Sequence, residues 1–324
     1  MVSIENIQND VEKWLADIDY GQNPKNLYQP IQYAMSLGGK RLRPTLCLAS
    51  CALFKDDYEK ARWAAMAIEV FHNFTLLHDD VMDKAGIRRG KPTVVAKFGL
   101  NSAILSGDAM LIDAYKLLQL TDSPSFPLIV ETFNQTAIEV CEGQQLDMDF
   151  ETRNDVSTDE YLEMIRLKTS VLLAASLKIG ALVGGAAAAE VKALYDYGIL
   201  IGLAFQLQDD LLDSFGDQAT FGKAIGGDIM SNKKTFLALT AYDKADAQHK
   251  RDMLNWMNAV DPVREEKIHA MKEIFEVSGA REATEAKIEE FYSKAMAKLR
   301  AMEIPAEGKR IFVTFAENLL HRQK

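Results

Sequence analysis

The stretch FHNFTLLHDDVMDKAGIRRG, residues 71–90, combines a long apolar run with an unusual density of charge. Apolar side chains recur at three- and four-residue spacing, which predicts a helix. The helix ends in Asp79, Asp80 and Asp83, and Asp79 and Asp83 lie one turn apart on one face. Carboxylates this close repel one another unless a cation lies between them. Oxygen ligands alone suit Mg²⁺, whose coordination shell is completed by waters and substrate phosphates.

The same pattern recurs at 205–213, FQLQDDLLD, where another apolar helix ends in aspartates. A single cluster of this kind is as typical of a solvated helix end as of a metal site. Two such clusters, far apart in the chain, favour the metal site. If the two helices face each other, two or three Mg²⁺ ions bridge them through a diphosphate. The predicted metal-binding residues are Asp79, Asp80, Asp83, Asp209, Asp210 and Asp213.

Basic residues accompany both acidic clusters. Arginine offers a planar fork for phosphate oxygens, and lysine offers a point charge. Each of these residues alone is more often a surface charge, and His72 alone is as often a core histidine. Beside the two acidic clusters, however, they predict a binding site for diphosphate. The predicted set is Lys40, Arg43, His72, Arg88, Arg89, Lys168, Lys223 and Lys233.

Helical periodicity extends over nearly the whole chain and predicts an all-α fold. The predicted helices cover residues 4–18, 24–37, 45–54, 57–83, 101–120, 126–149, 158–184 and 187–214, and four or five more follow between 228 and 322. Ser157 and Glu160 have the spacing of a capping box before the helix at 158. No low-complexity linker and no strand-like alternation interrupts this pattern. We therefore expect a single domain, residues 1–324, in which about a dozen helices surround a central cavity.

The composition narrows the possible functions. The chain has 324 residues, 48% of them hydrophobic, which is enough for a large core. A net charge of −10 argues against a nucleic-acid or anionic-membrane binder. Cys47, Cys51 and Cys141 fit no zinc spacing, and the first two share a helix face typical of buried small side chains.

Localisation is predicted from the same features. An odd, low number of cysteines favours a reducing cytoplasm, and the start MVSIENIQND lacks the features of a signal peptide. The most apolar window, residues 171–189, contains Lys178 and many small residues. A packed core helix is therefore favoured over a membrane span.

A series of motifs resembles the trans-isoprenyl diphosphate synthases, the polyprenyl synthetase family, and most closely its short-chain geranylgeranyl and farnesyl members. The motifs are GGKRLRP at 38–44, LLHDDVMD at 76–83, RRGKP at 88–92, GQQLD at 143–147, KT at 168–169, FQLQDDLLD at 205–213 and GKAIGGDI at 222–229. They occur in the family's order and cover nearly the whole chain. The last eighty or so residues contain few recognisable motifs of the family.

The resemblance implies an isoprenoid synthase type I fold, a homodimer and head-to-tail prenyl transfer dependent on Mg²⁺. It implies Asp79, Asp83 and Asp209 as metal ligands, with the other aspartates, Asp147 and Gln144 holding metal-bound waters. The allylic diphosphate (dimethylallyl, geranyl or farnesyl) is assigned to Arg88, Lys168, Lys223 and Lys233. Isopentenyl diphosphate is assigned to Lys40, Arg43, His72 and Arg89. The catalytic residues implied are Lys168, Thr169 and Gln206, the last two stabilising the allylic cation.

Product length is predicted from the residues before Asp79. Side chains of a helix lean towards its N-terminus, so Phe74 and Thr75 are expected to line the channel for the growing tail. In the family, one aromatic residue with a small neighbour at these positions resembles a geranylgeranyl (C20) synthase. A C15 farnesyl or a longer product is the alternative, with Phe74 as simple core packing or Met110 as the floor.

Two other functions fit parts of the sequence. A class I terpene cyclase also ionises an allylic diphosphate, but the second DDxxD and the GGKRLRP run argue against one. A non-catalytic subunit of a two-component synthase usually lacks one aspartate cluster, and both are intact here.

Overall fold

The computed structural model describes residues 3–216 and 225–320, and almost all of this chain is helical. The first helices are α1 (Ile4–Ala16), α2 (Lys25–Ser36), α3 (Leu42–Ala52), α4 (Arg62–Met82), α5 (Val94–Phe98), α6 (Leu100–Leu118), α7 (Phe126–Thr152) and α8 (Thr158–Ile165). The remaining helices are α9 (Val171–Gly184), α10 (Ala188–Phe215), α11 (Gly227–Met230), α12 (Phe236–Lys244), α13 (Ala247–Met257), α14 (Arg264–Val277), α15 (Ala280–Ala301) and α16 (Ala306–Leu320). A 3₁₀ turn, Tyr58–Ala61, precedes α4, and a π-helical turn, Arg166–Ser170, joins α8 to α9.

The all-α prediction is confirmed, and the predicted helices lie within a few residues of the observed ones. The capping box is also present, because Ser157 and the Glu160 side chain bond each other's backbone N–H groups. Three short elements, one helix and two strands, were not expected. Thr93 caps the five-residue helix α5, which is too short to show a period. Strands β1 (Ile87–Arg88) and β2 (Lys91–Pro92) pair antiparallel but are too short to alternate.

The chain divides into two compact units. The first unit comprises Met1–Thr136, Leu172–Tyr195 and Glu303–Ile311, and the second comprises Ala137–Val171, Asp196–Met302 and Phe312–Lys324. The single domain predicted from the sequence therefore stays a prediction, as does the central cavity.

The core of the first unit is built around α4, which packs closely along α6. Its innermost side chains include Phe71 on α4 and Met110 on α6. Cys47 and Cys51 on α3 are buried, as the sequence predicts, whereas Cys141 is exposed. The C-terminal end of α4, where the first aspartates lie, is thus fixed by a tightly packed helix.

In the core of the second unit, the C-terminal half of α10 packs against helices α12, α14 and α15. Leu207 on α10, Leu237 on α12 and Phe275 on α14 are among its most buried side chains. This core fixes the end of α10, which carries the second aspartate cluster.

One continuous helical run, Thr158–Gly184, is long and apolar enough to cross a membrane by length and composition alone. Of its most apolar window, 78% is buried inside the protein. A buried run of this kind is typical of a core helix, as expected from the sequence.

Candidate active site

The first aspartate cluster closes α4 and is paired with an arginine. Asp80 is buried and accepts two hydrogen bonds from Nε of Arg88, at 2.8 and 2.9 Å. Nη2 of Arg88 also reaches Asp79 Oδ2 at 3.2 Å. Burial raises the pKa of the Asp80 carboxyl, and the Arg88 charge offsets part of that effect. The strand β1 places Arg88 beside the helix end, so this predicted phosphate ligand lies against two predicted metal ligands.

A second group of cations lies behind this cluster in the first unit. Nη1 of Arg43, on α3, is 3.1 Å from Nε2 of His72, on α4. Nε of Arg43 is buried and has no hydrogen-bond partner among the described residues. The Arg89 guanidinium lies against Gly39, where an added Cβ would be 2.9 Å from Nη2. We call Arg43, His72 and Arg89 the cation pocket.

The charges of the cation pocket repel one another. Burial, followed by the neighbouring arginines, lowers the pKa of His72 well below its usual value. The ring is therefore neutral at physiological pH, and Nε2 accepts from Arg43 while Nδ1 carries the proton. Burial lowers the pKa of Arg43 to about 10, Glu69 opposes this shift, and the Arg89 charge adds to it. Such a pocket favours binding of an anion.

Two residues that were not assigned from the sequence organise this pocket. Arg41 is buried, with a left-handed φ of 48°, and pairs with Glu69 at 2.7 Å and Glu12 at 2.8 Å. Glu69 is buried on α4 and also accepts from Asn73 at 3.1 Å. The ion pair fixes the loop between Gly39 and α3, which carries Lys40 and leads directly into the first turn of α3, where Arg43 lies. No local signal in the sequence pairs Arg41 with Glu69, because α3 and the start of α4 lie between their positions.

Upstream of Asp79, an aromatic cluster surrounds Phe74. Its ring contacts Phe71 at a centroid distance of 5.6 Å and His78 at 4.8 Å. Nε2 of His78 is 3.1 Å from the carbonyl oxygen of Ile104 on α6. The imidazole ring of His78 also lies against Gly107 on α6, where no side chain would fit. The Thr75 hydroxyl donates to the carbonyl oxygen of His72 at 2.8 Å. Phe74 is thus held in place from the side of α6.

The second unit contains a cavity of about 150 Å³. It is lined by most of the residues that the motifs assign to this part of the chain and by several that no motif includes. The predicted members are Asp147, Lys168, Thr169, Gln206, Asp210 and Lys233. The added ones include Phe150, Tyr161, Met164, Ile165, Asp228 and Asn232.

Two lysines meet one carboxylate at this cavity. Nζ of Lys168 is 2.6 Å from Asp147 Oδ2, and Nζ of Lys233 is 3.9 Å from the same oxygen. Burial opposes ionisation of Asp147, but the Lys233 and Lys168 charges outweigh it and hold its pKa below the usual value. Lys168 reaches the cavity from the π-helical turn, a distortion frequent at functional sites.

A chain of hydrogen bonds leads from the same turn to the second aspartate cluster. The Thr169 hydroxyl donates to Gln206 Oε1 at 3.1 Å, and Gln206 Nε2 donates to Asp210 Oδ1 at 3.0 Å. The Tyr161 hydroxyl donates to the other oxygen of Asp210. Burial raises the pKa of Asp210 to about 8, with the Asp228 charge adding to the shift. Tyr161 was not predicted from the sequence, because its position in a helix carries no motif.

Asp213 contacts the segment after α10. Asp213 Oδ2 accepts from the backbone N–H of Asp228 at 2.9 Å, and the carbonyl oxygen of Asp213 accepts from Gly226 at 2.7 Å. Asp209 precedes Asp210 on the same helix. The prediction for Lys223 lies outside the described residues.

The aspartates provide a donor set that suits Mg²⁺ in the presence of substrate. In the described ranges 3–216 and 225–320, no three His, Cys, Asp or Glu side chains form a group that could hold a metal by themselves. Mg²⁺ is usually held by one or two carboxylates, with waters and substrate phosphates completing the octahedron. Asp79 with Asp83, and Asp209 with Asp213, are spaced one turn apart and supply only oxygen. They therefore fit a metal that binds together with a diphosphate.

An all-α fold with DDxxD at two helix ends, each near cations suited to phosphate, defines an enzyme that acts on prenyl diphosphates. The polyprenyl synthetase family model matches residues 24–276. The chain belongs to the polyprenyl synthetase family, which confirms the predicted resemblance.

Similar proteins include synthases named for more than one product. A geranylgeranyl diphosphate synthase of Methanosarcina mazei is 41% identical over 243 residues, which are 74% of this chain and 75% of the relative. A geranylfarnesyl diphosphate synthase of Natronomonas pharaonis is 41% identical over 241 residues, 69% of this chain and 71% of the relative.

Solved structures extend the likeness to the whole fold. A geranylgeranyl pyrophosphate synthase has a TM-score of 0.94 and 44% identity, with 100% of both chains covered. A geranylgeranyl pyrophosphate synthase from Corynebacterium glutamicum, solved with isoprenyl diphosphate and magnesium, has a TM-score of 0.85 and 27% identity, with 98% of each chain covered.

Proposed function

We propose that this chain is a Mg²⁺-dependent, head-to-tail prenyltransferase. It adds isopentenyl diphosphate to an allylic diphosphate (dimethylallyl, geranyl or farnesyl) and releases one diphosphate at each addition. The addition repeats until the product is geranylgeranyl diphosphate, C20. The observation that carries this proposal is the presence of two separate groups of cations, the cation pocket and the Lys168–Lys233 pair. A reaction between two diphosphate esters needs two such sites, whereas a terpene cyclase needs one.

The allylic diphosphate is assigned to Arg88, Lys168, Lys223 and Lys233. When bound through Asp79, Asp83 and Asp209, Mg²⁺ supplies Lewis-acid stabilisation of the negative charge on the leaving diphosphate. Lys168 and Lys233 lie at one edge of the cavity. Their ammonium groups can therefore stabilise the negative charge that develops on the diphosphate as the bond breaks. Asp147 holds both lysines in position before the substrate binds.

The reaction breaks the allylic carbon–oxygen bond, forms a carbon–carbon bond and shifts a double bond. The carbon–oxygen bond of the allylic ester breaks, and its electron pair leaves with diphosphate. The double bond of isopentenyl diphosphate then supplies the electron pair of the new carbon–carbon bond. A proton is lost from the isopentenyl carbon next to the new cation, and the electron pair of that carbon–hydrogen bond forms the double bond of the product. It passes to the departing diphosphate, since the motifs offer no side-chain base.

Thr169 and Gln206 stabilise the allylic cation with their oxygens. Thr169 donates its only hydroxyl proton to Gln206, so the lone pairs of its oxygen remain available for a positive charge. The apolar walls of the cavity, among them Phe150, Met164 and Ile165, keep water away from the cation.

Isopentenyl diphosphate is assigned to the cation pocket and Lys40. Arg43 has a buried Nε–H that needs an acceptor, and Arg89 faces the backbone of Gly39. The neutral His72 accepts a hydrogen bond from Nη1 of Arg43 and thereby orients the guanidinium. Its Nδ1–H is a further donor for the diphosphate. Holding the two diphosphates at separate sites aligns the reacting carbons.

The C20 product length rests on Phe74, Thr75 and the names of similar enzymes. Phe74 is braced by Phe71 and His78, so its ring presents a rigid wall to the growing tail. A geranylfarnesyl diphosphate synthase of comparable similarity makes a longer product the leading alternative. Met110, fully buried on α6, is the alternative floor.

A homodimer in the cytoplasm completes the proposal. In the first unit, α6 exposes Leu105 and Ile112, and the start of α7 exposes Leu128. A second copy of the chain would cover these apolar side chains. Light scattering on the purified protein tests this, with Leu105→Asp expected to produce a monomer.

The proposed activity is tested by incubating the purified chain with Mg²⁺, isopentenyl diphosphate and each allylic primer, followed by sizing of the products. A C20 diphosphate as the main product is expected, and no product without isopentenyl diphosphate. A hydrocarbon formed from the allylic primer alone would instead indicate a terpene cyclase.

A further inference from the structure

One face of α14 holds the segment Ile225–Thr235, which carries Asp228 and Lys233. Arg264 donates from Nη2 to the carbonyl oxygen of Ile225 at 2.6 Å. Ile268 packs against Gly226, where an added methyl group would lie 2.4 Å from its Cδ1. Between them, Lys267 donates from Nζ to Asn232 Oδ1 at 2.7 Å. Positions 264, 267 and 268 share one helix face because they are three and four residues apart.

Lys267 is an unusual member of this face. Its side chain is only 2% exposed, although lysine is almost never fully buried unless it is paired. Its hydrogen-bond partner is a neutral amide, and no carboxylate lies within ion-pair distance among the residues that the structure describes. Removing an ammonium from water in this way costs stability. Burial accordingly lowers the pKa of Lys267.

Asn232 is the residue that this buried charge fixes. Its φ of 54° lies in the left-handed region, which asparagine tolerates better than most residues. The Asn232 side chain also donates from Nδ2 to the carbonyl oxygen of Met257 at 2.9 Å. The amide is therefore held by α14 on one side and by the end of α13 on the other. A residue held so firmly defines the direction of the chain on both sides of it.

Lys233 is the next residue, and its ammonium lies 3.9 Å from Asp147 Oδ2 at the edge of the cavity. Its backbone N–H donates to the carbonyl oxygen of Asp228 at 2.9 Å, which ties the same turn together. Small changes in the backbone at Asn232 would therefore move the Lys233 ammonium relative to Lys168 and Asp147.

We propose that Lys267 is a positioning residue, which aims Lys233 at the bound diphosphate through its hydrogen bond to Asn232. The inference rests on the proposed function, because it takes the cavity as the allylic diphosphate site. It also gives a role to α14, which lies in the part of the chain without motifs. Lys267 itself is not among the residues that line the cavity.

The test compares Lys267→Met, Lys267→Arg and Lys272→Met. Methionine keeps the length of the stem but removes the charge and the donor, whereas arginine keeps both. Lys272, on the same helix, lies over the Phe215 ring at 5.3 Å and holds no part of the segment, so its variant is the matched control. The probe is inorganic diphosphate with Mg²⁺, bound to the full chain and measured by calorimetry. Melting temperature, KM for each substrate and kcat are measured on the same samples.

We expect Lys267→Met to weaken diphosphate binding about tenfold and to raise KM for the allylic substrate, with KM for isopentenyl diphosphate unchanged. Its melting temperature should stay the same or rise, because a buried charge has been removed. Lys267→Arg should restore most of the binding, and Lys272→Met should behave as the parent chain.

Unchanged diphosphate binding in Lys267→Met would overturn the positioning role. Weaker binding together with a lower melting temperature and an equal rise in KM for both substrates would also overturn it, because that result indicates general destabilisation. Binding that is present while the parent chain forms no prenyl product would instead contradict the proposed function. The two failures are thus distinguishable.

Discussion

The cation pocket of the first unit and the cavity of the second unit, each proposed to bind a diphosphate, arrange their charges in different ways. In the cation pocket, the charges of Arg43 and Arg89 repel each other, and His72 stays neutral. At the cavity, Lys168 and Lys233 already lie against Asp147, and a chain of hydrogen bonds holds Thr169 and Gln206. The first arrangement concentrates charge for tight binding of an anion. The second holds its groups in a fixed geometry, which suits a bond-breaking step.

The largest effect is expected from the aspartates that are proposed to hold Mg²⁺. Asp79→Ala or Asp209→Ala should reduce turnover at least about a thousandfold, because the leaving diphosphate loses its metal-borne stabilisation. Turnover in Mg²⁺ and the far-ultraviolet circular dichroism melt are the measurements. The fold should remain intact, and Asp122→Ala, at an exposed loop position, is the control. Near-normal activity of either variant would refute the role of both clusters in metal binding.

A smaller and more selective effect is expected in the cation pocket. Arg43→Met should raise KM for isopentenyl diphosphate about a hundredfold, equivalent to about 3 kcal/mol for a buried charge-assisted contact. KM for the allylic substrate should change little, because Lys168 and Lys233 are untouched. Steady-state kinetics with each substrate varied in turn gives both values. Equal losses for the two substrates would show that the pocket does not discriminate between them.

Gly39→Ala tests the same pocket through its backbone. Gly39 has a φ of 149°, and a Cβ there would lie 2.9 Å from the Arg89 guanidinium. We expect the displaced arginine to raise KM for isopentenyl diphosphate about tenfold. Gly38→Ala is the matched control, since Gly38 also has a positive φ but an added Cβ meets nothing within 4 Å. If both variants lose the same affinity, backbone strain alone explains the loss.

The smallest effect on rate, and the clearest on product, is expected at Phe74. Phe74→Ala removes the ring that contacts Phe71 and His78. If this ring is the proposed wall of the product channel, the variant should lengthen the main product by one or more isoprene units. Mass analysis of the dephosphorylated products measures this. An unchanged product length would assign the floor to another residue, for which Met110→Ala is the comparison.

The sequence predicted those features that repeat along a helix. Asp79 and Asp83, like Asp209 and Asp213, lie at the ends of apolar runs whose period is visible in the sequence, so their position on helix faces followed directly. The capping box at Ser157 is equally local. Arg41 with Glu69 and Tyr161 with Asp210 were missed because their partners come from distant helices. Lys267 was missed for a further reason, since a lysine on a helix is ordinarily exposed.

The π-helical turn at Arg166–Ser170 limits how this enzyme can be altered. Each residue added to or removed from a helix rotates the rest of that helix by about 100°. Removing one residue here to restore a regular helix would therefore turn Lys168 and Thr169 away from the cavity or turn α9 away from its packing. Substitutions at these positions change the chemistry of single side chains, whereas a deletion would change the direction of all of them together. The length of this turn is accordingly as much a part of the site as the residues within it.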